Sequence, residues 1–157
     1  MSENILKIRD LSVNYHTDRG KLKALRHVNL DIPKGSIVGV VGESGCGKTS
    51  LLKAIRGFMD RDEGEIYFQG ERVYNKSEKL VPGTKGVAIV HQDFQLEPGF
   101  TVFDNIRHHL IQYHRSYQQS KTEEIIRLCK LENIQFKKSK ELSGGQKQKV
   151  ALAKALI

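Results

Sequence analysis

Apolar and polar positions alternate in the first third of the chain. From Ile5 to Val13 the apolar positions include Ile5, Ile8, Leu11 and Val13, and from Ala24 to Ile32 they include Leu25, Val28, Leu30 and Ile32. The polar stretch His16-Thr17-Asp18-Arg19-Gly20 separates them and reads as a turn, so the pattern predicts an antiparallel β opening. Pro33-Lys34-Gly35 breaks the alternation. The run Ile37-Val38-Gly39-Val40-Val41 then predicts a strand buried on both faces, as in a parallel sheet. A glycine-rich stretch leads into a helical run over Ser50–Ile55 that ends near Gly57. Glu65–Gln69, between Gly64 and Gly70, predicts a strand, and Val87–Val90 predicts a buried one. From Val102 the pattern turns helical. Ser120-Lys121-Thr122-Glu123 fits a capping box opening a helix through Leu131, with Ile125, Ile126 and Leu128 as a partial stripe. Ser143-Gly144-Gly145-Gln146 is a second such box, before Val150-Ala151-Leu152-Ala153, and the helical pattern runs on to Ile157 without a glycine cap or a proline.

Composition narrows the class. The chain has 157 residues, 38% of them hydrophobic and 28% charged, which suits a globular domain and excludes collagen, a disulfide scaffold and a disordered chain. No apolar run reaches the length of a membrane span. Met1-Ser2-Glu3-Asn4 does not open a secretory signal, so a cytosolic chain is expected. Cys46 and Cys129 show no metal spacing, and reduced thiols follow. His108, His109 and His114 read as a solvated helix face rather than a metal site. The net charge of +8 allows a nucleic-acid or lipid surface. However, apart from Lys137, Lys138 and Lys140 the lysines are dispersed, with no basic aromatic motif. The expectation is therefore an ordinary domain, not a nucleic-acid binder.

Two constellations carry chemistry. Gly42-Glu43-Ser44-Gly45-Cys46-Gly47-Lys48-Thr49 matches G-x-x-x-x-G-K-[ST] between an expected strand and an expected helix. Gly45 and Gly47 permit backbone conformations that aim successive N–H groups at an anion, and the helix N-terminus adds partial positive charge. Lys48 can reach phosphate oxygens, Thr49 offers a hydroxyl to Mg²⁺, and Ser50 adds an α-phosphate contact. Cys46 reads as a small filler residue, with an activated thiol as the alternative. Leu142-Ser143-Gly144-Gly145-Gln146 combines a hydroxyl, two glycine N–H groups and a helix start, a second anion site whose plainer reading is a helix cap.

Together with Gln92 in the segment Val90–Leu96, these motifs resemble, in order and spacing, the nucleotide-binding subunit of an ATP-binding cassette (ABC) transporter. Thr101–Ile106 resembles the stretch after that family's Q-loop, and the style of Val87–Ile106 resembles bacterial import ATPases. The resemblance implies an α/β fold. A P-loop NTPase (RecA-like) core would carry an N-terminal antiparallel β subdomain and an α-helical signature subdomain, divided as residues 1–92 and 93–157. It implies ATP and Mg²⁺ as cofactors. Tyr15 would stack on adenine. Gly42, Ser44, Gly45, Cys46, Gly47, Lys48, Thr49 and Ser50 would cradle the phosphates. Thr49 and Gln92 would approach Mg²⁺. Ser143, Gly144, Gly145 and Gln146 would face the γ-phosphate of a partner's ATP. Lys48, Gln92 and Ser143 would serve catalysis. The partners implied are a second nucleotide-binding subunit, identical or not, in a head-to-tail dimer, transmembrane permease subunits, and a solute-binding protein acting through the permease. The place implied is the cytoplasmic face of the cell membrane.

One departure stands out. In the family an apolar strand ending in aspartate, then a glutamate, follows the signature helix, and a switch histidine comes later. These 157 residues hold none of them. The expectation is thus the N-terminal part of a longer cassette, weak or inactive as an ATPase by itself. Alternatives are a nucleotide-binding module without turnover, a soluble ABC ATPase acting on nucleic acid or ribosomes, and an unrelated P-loop kinase or GTPase, which would not explain Leu142–Gln146.

Overall fold

A computed structural model describes residues 3–18 and 20–157. Met1, Ser2 and Arg19, the last within the expected first turn, lie outside the described residues. Contacts divide the chain into two compact units, residues 1–87 and 88–157.

The first unit is built on an antiparallel sheet. Strands β1 (Asn4–Thr17), β2 (Gly20–Pro33), β3 (Glu63–Phe68) and β4 (Glu71–Arg72) lie in the order β2-β1-β3-β4. Leu6 and Ile8 face the core from even positions, whereas Leu11 and Val13 do so from odd ones. A strict alternation would send one pair to solvent. The register shifts between Leu11 and Val13, where His27 on β2 has φ 47°, and between Ile8 and Leu11, where Asp10 on β1 has φ 51°. This bulge adds the residue that keeps all four side chains on one face. Gly64 makes room for it: a Cβ there would fall 2.4 Å from the carbonyl oxygens of Arg9 and Asp10.

Helix α1 (Lys48–Arg56) packs on this sheet through Leu51 and Ala54, which join Leu6, Ile8, Leu11, Val13, Leu25, Ile66 and Val73 in one buried cluster. It ends as the sequence predicts. Gly57 adopts φ 76°, its N–H donates to the Ala54 carbonyl at 3.0 Å, and the Phe58 N–H donates to Lys53 O at 2.9 Å.

Two expected strands do not form. Ile37–Val41 has no regular structure, and Ile37 and Val41 are fully exposed to solvent. Val87–Val90 is likewise irregular, with Val87 and Ile89 half-buried and Ala88 and Val90 exposed. A strand of a parallel sheet is held by the N–H and C=O groups of its neighbours. Among the described residues no strand runs beside either segment, so β-branched composition alone does not order them.

The second unit is helical, with α2 (Val102–Arg107), α3 (Arg115–Leu128) and α4 (Gly144–Ala155). Val102, Ile106, Ile125, Ile126, Leu131, Leu142, Val150 and Ala153 form its core. Helix α3 corrects the sequence reading, because it opens five residues before Ser120 and stops at Leu128 rather than Leu131. The His114 imidazole accepts the Ser116 N–H and caps the helix, so the pattern Ser120–Glu123 lies inside it, where no free N–H awaits a cap.

Candidate functional site

The loop Gly42–Gly47 enters α1 without a regular strand before it. Gly45 and Gly47 have φ 84° and 99°, in the left-handed region that favours glycine. Gly47 is also fixed by packing, since a Cβ would sit 2.6 Å from Ala24 O on β2. Gly42 is tight against Cys46, whose Sγ would lie 2.6 Å from an added Cβ. The first turn of α1 leaves the N–H groups of Lys48, Thr49 and Ser50 without helical acceptors. The Lys48 ammonium folds back over the loop, donating to Gly42 O at 2.8 Å and Glu43 O at 2.7 Å, with Cys46 Sγ at 3.5 Å. A cation is thus held beside a run of N–H groups, an arrangement that fits a polyphosphate and its counter-cation. Thr49 is exposed at the same helix start, and Ser44 and Cys46 are exposed on the loop.

Ser50 points elsewhere. It is buried, and its hydroxyl lies 3.0 Å from the hydroxyl of Tyr15 on β1. Tyr15 keeps more than a third of its surface exposed. The structure therefore brings Tyr15 and the phosphate loop together in one unit.

Gln92 belongs to the second unit. It is exposed in a turn whose Phe94 N–H donates to His91 O at 3.0 Å. Phe94 and Gln95 both have positive φ, 60° and 45°. Each such non-glycine residue costs about 1–2 kcal/mol. Downstream the chain is pinned by a residue that the sequence reading missed. Asn105, buried on α2, accepts the Glu97 N–H at 2.8 Å through Oδ1 and donates through Nδ2 to Glu97 O at 3.2 Å and Thr101 O at 3.0 Å. A lone amide between Phe103 and Ile106 on an apolar helix face was the available signal.

Ser143 caps α4. Its hydroxyl accepts the Gln146 N–H at 3.3 Å, and the Gln146 side chain accepts the Ser143 N–H at 3.0 Å, so the capping box expected from sequence is formed. Gly144 and Gly145 are open, because a Cβ on either meets nothing within 4 Å. These residues leave a bare backbone face at a helix N-terminus. Among the described residues no cluster of His, Cys, Asp and Glu could hold a metal ion by itself, and no helix is long and apolar enough to cross a membrane.

Residues 25–157 match the ABC transporter family. Over 159 aligned residues, the chain is 36% identical to the spermidine/putrescine import ATP-binding protein PotA of Clostridioides difficile and 40% identical to that of Spiroplasma citri. The alignments cover 100% of this chain and 44% and 43% of those proteins. It is 34% identical to the sn-glycerol-3-phosphate import ATP-binding protein UgpC of Pectobacterium atrosepticum, over 97% of this chain and 41% of that one. The chain thus spans less than half the length of these curated relatives. Among solved structures, the dimeric bacterial ABC transporter cassette MJ0796 superposes with a TM-score of 0.76 at 28% identity, covering 96% of this chain and 68% of that one. CbiO1 of Clostridium perfringens, part of the transporter complex cbiONQ, gives 0.79 at 26% identity, over 98% and 61%.

Proposed function

Because the chain belongs to the ABC transporter family, we propose that it binds Mg-ATP through its phosphate loop and supplies the ATP-binding part of an import transporter. The observation that carries this reading is the loop itself. Its positive-φ glycines, the Lys48 ammonium and the first turn of α1 converge on one place. In this reading Lys48 exchanges the carbonyls of Gly42 and Glu43 for phosphate oxygens, which carry full charge and are the better acceptors. The N–H groups of the loop and of the first turn hold the remaining phosphate oxygens. Tyr15 offers its ring to the base while its hydroxyl stays on Ser50. Thr49 and Gln92 are the residues to hold Mg²⁺, which supplies charge neutralisation on the transferring phosphate.

Ser143–Gln146 completes the site of another copy rather than its own. Dimeric neighbours support that reading, and one of them is a cassette described as a post-hydrolysis state bound to ADP and Pi. Gly144 and Gly145 suit it, since both are exposed and a Cβ on either would meet nothing within 4 Å among the described residues. The relatives are named as import ATP-binding proteins, which supports import, permease subunits as partners and a place at the cytoplasmic membrane face.

The test is a Mg-ATP titration of the purified chain with its mass confirmed, beside Lys48→Ala. Saturable binding that the substitution abolishes is expected. Equal binding by both chains, or none by a folded wild type, would overturn the proposal.

A further inference from the structure

The turn that carries Gln92 has a backbone conformation that needs holding. Phe94 and Gln95 are successive non-glycine residues at φ 60° and 45°, and such pairs persist only where the surroundings over-determine them. Asn105 and Ser139 grip the chain further on, at Glu97, with Ser139 Oγ donating to Glu97 O at 2.5 Å. At Gln95 itself the grip comes from α4. Lys154 Nζ donates to Gln95 O at 2.5 Å, across 59 residues of sequence. Lys154 is in the last turn of α4 and is half-buried, at a cavity of about 280 Å³ that it lines with Gln95, Glu97, His108 and His109. Burial lowers its pKa, and Glu97 partly offsets this. An ammonium short of water binds a carbonyl more strongly than a solvated one does.

We propose that Lys154 is a positioning residue, which fixes the left-handed turn after Gln92 and ties it to the helix that Ser143 opens. The functional meaning rests on the assignment of Gln92 and Ser143 made above. Helix α4 has 12 residues and spans roughly 18 Å. Ser143 caps one end, and Lys154 grips the Gln92 turn at the other. A ligand that shifts the capped end therefore has a stiff connection to Gln92.

The test is amide exchange by NMR in the purified chain, with Lys154→Met and Lys154→Arg. Phe94 N–H and its neighbours through Glu97 are the reporters. In Lys154→Met these amides are expected to exchange at least tenfold faster, with α3 and β1 at wild-type rates. Lys154→Arg, which keeps cation and donors, is expected within threefold of wild type. Unchanged exchange in Lys154→Met overturns the proposal, and so does an equal acceleration across α3. Should Lys154→Met fail to fold, Lys154→Gln is judged by the same criterion. An ATP titration with and without Mg²⁺ runs beside it. In Lys154→Met, affinity without Mg²⁺ should hold within twofold, while the gain on adding Mg²⁺ shrinks about tenfold. A wild type that binds no ATP would overturn the proposed function alone, because the exchange rates decide the role of Lys154 in either case.

Discussion

The hydroxyls of Tyr15 and Ser50 lie 3.0 Å apart and join β1 to the first turn of α1. Ser50 is buried, so its hydroxyl depends on this partner. Tyr15→Phe keeps the ring and removes the bond, and should cost about 1–2 kcal/mol in stability. ATP affinity should change less than threefold if the ring is what the base meets. Tyr15→Ala should weaken ATP about tenfold further, the loss of a stacked base. Melting curves and ATP titrations of both variants separate the two roles.

Two glycine substitutions should behave in opposite ways. Gly47→Ala places a Cβ 2.6 Å from Ala24 O at φ 99°, so the loop or β2 must move. A loss of about 2 kcal/mol or more is expected in denaturant melts, with ATP binding abolished. Gly144→Ala meets nothing within 4 Å on an exposed helix start, and its stability should stay within about 0.5 kcal/mol of wild type. If Gly144 faces a partner's nucleotide, ATP-dependent dimer formation in sedimentation should nevertheless fall.

Ser143 has a structural task that can be separated from a ligand task. Ser143→Ala removes the cap from the Gln146 N–H and should cost about 1 kcal/mol. Ser143→Asp keeps the cap, because a carboxylate accepts the same N–H and favours the helix N-terminus. It should retain wild-type stability and yet repel a phosphate. Dimerisation lost in Ser143→Asp with an unchanged melt would assign the serine to anion contact.

Acid should loosen the second unit through His109. Part of its ring faces solvent, yet burial of the remainder, with Lys154 and His108 close by, lowers its pKa from the ordinary 6.5. Below 6.5 the unfolded chain takes up the proton first, so stability falls as pH drops through 6.5 and on to the lower folded value. Urea melts of wild type and His109→Gln between pH 7.5 and 5 should show a smaller acid loss in the variant. Parallel losses in the two would refute this origin.

The exposed run Ile37–Val41 should drive self-association, as bare β-branched segments do. Val41→Lys adds charge where the side chain already faces water. It should raise the concentration at which light scattering appears, with the melting temperature unchanged.

Some of this molecule was decided within short stretches of sequence. Gly45 and Gly47 take positive φ because their own lack of a Cβ permits it, and the Ser143–Gln146 box closes over four residues. Phosphate-loop chemistry and helix capping are local, so the motifs that point to nucleotide, the C-terminal end of α1 at Gly57 and the N-terminal end of α4 at Ser143 were legible in the sequence. The alternating runs of β1 and β2 were legible as well, because each strand finds its partner across one turn. Other features depended on what lies beside a segment. Ile37–Val41 has a strand's composition and no strand's structure, since ladder bonds must come from a neighbour. The bulge at Asp10 and the cap at His114 shift a register and a helix start in ways that apolar spacing does not encode. The tie from Lys154 to Gln95 spans 59 residues, and a lone lysine in the apolar run Val150–Leu156 hinted at it without naming a partner. Only the packing of α4 against its own unit brought that ammonium to one carbonyl.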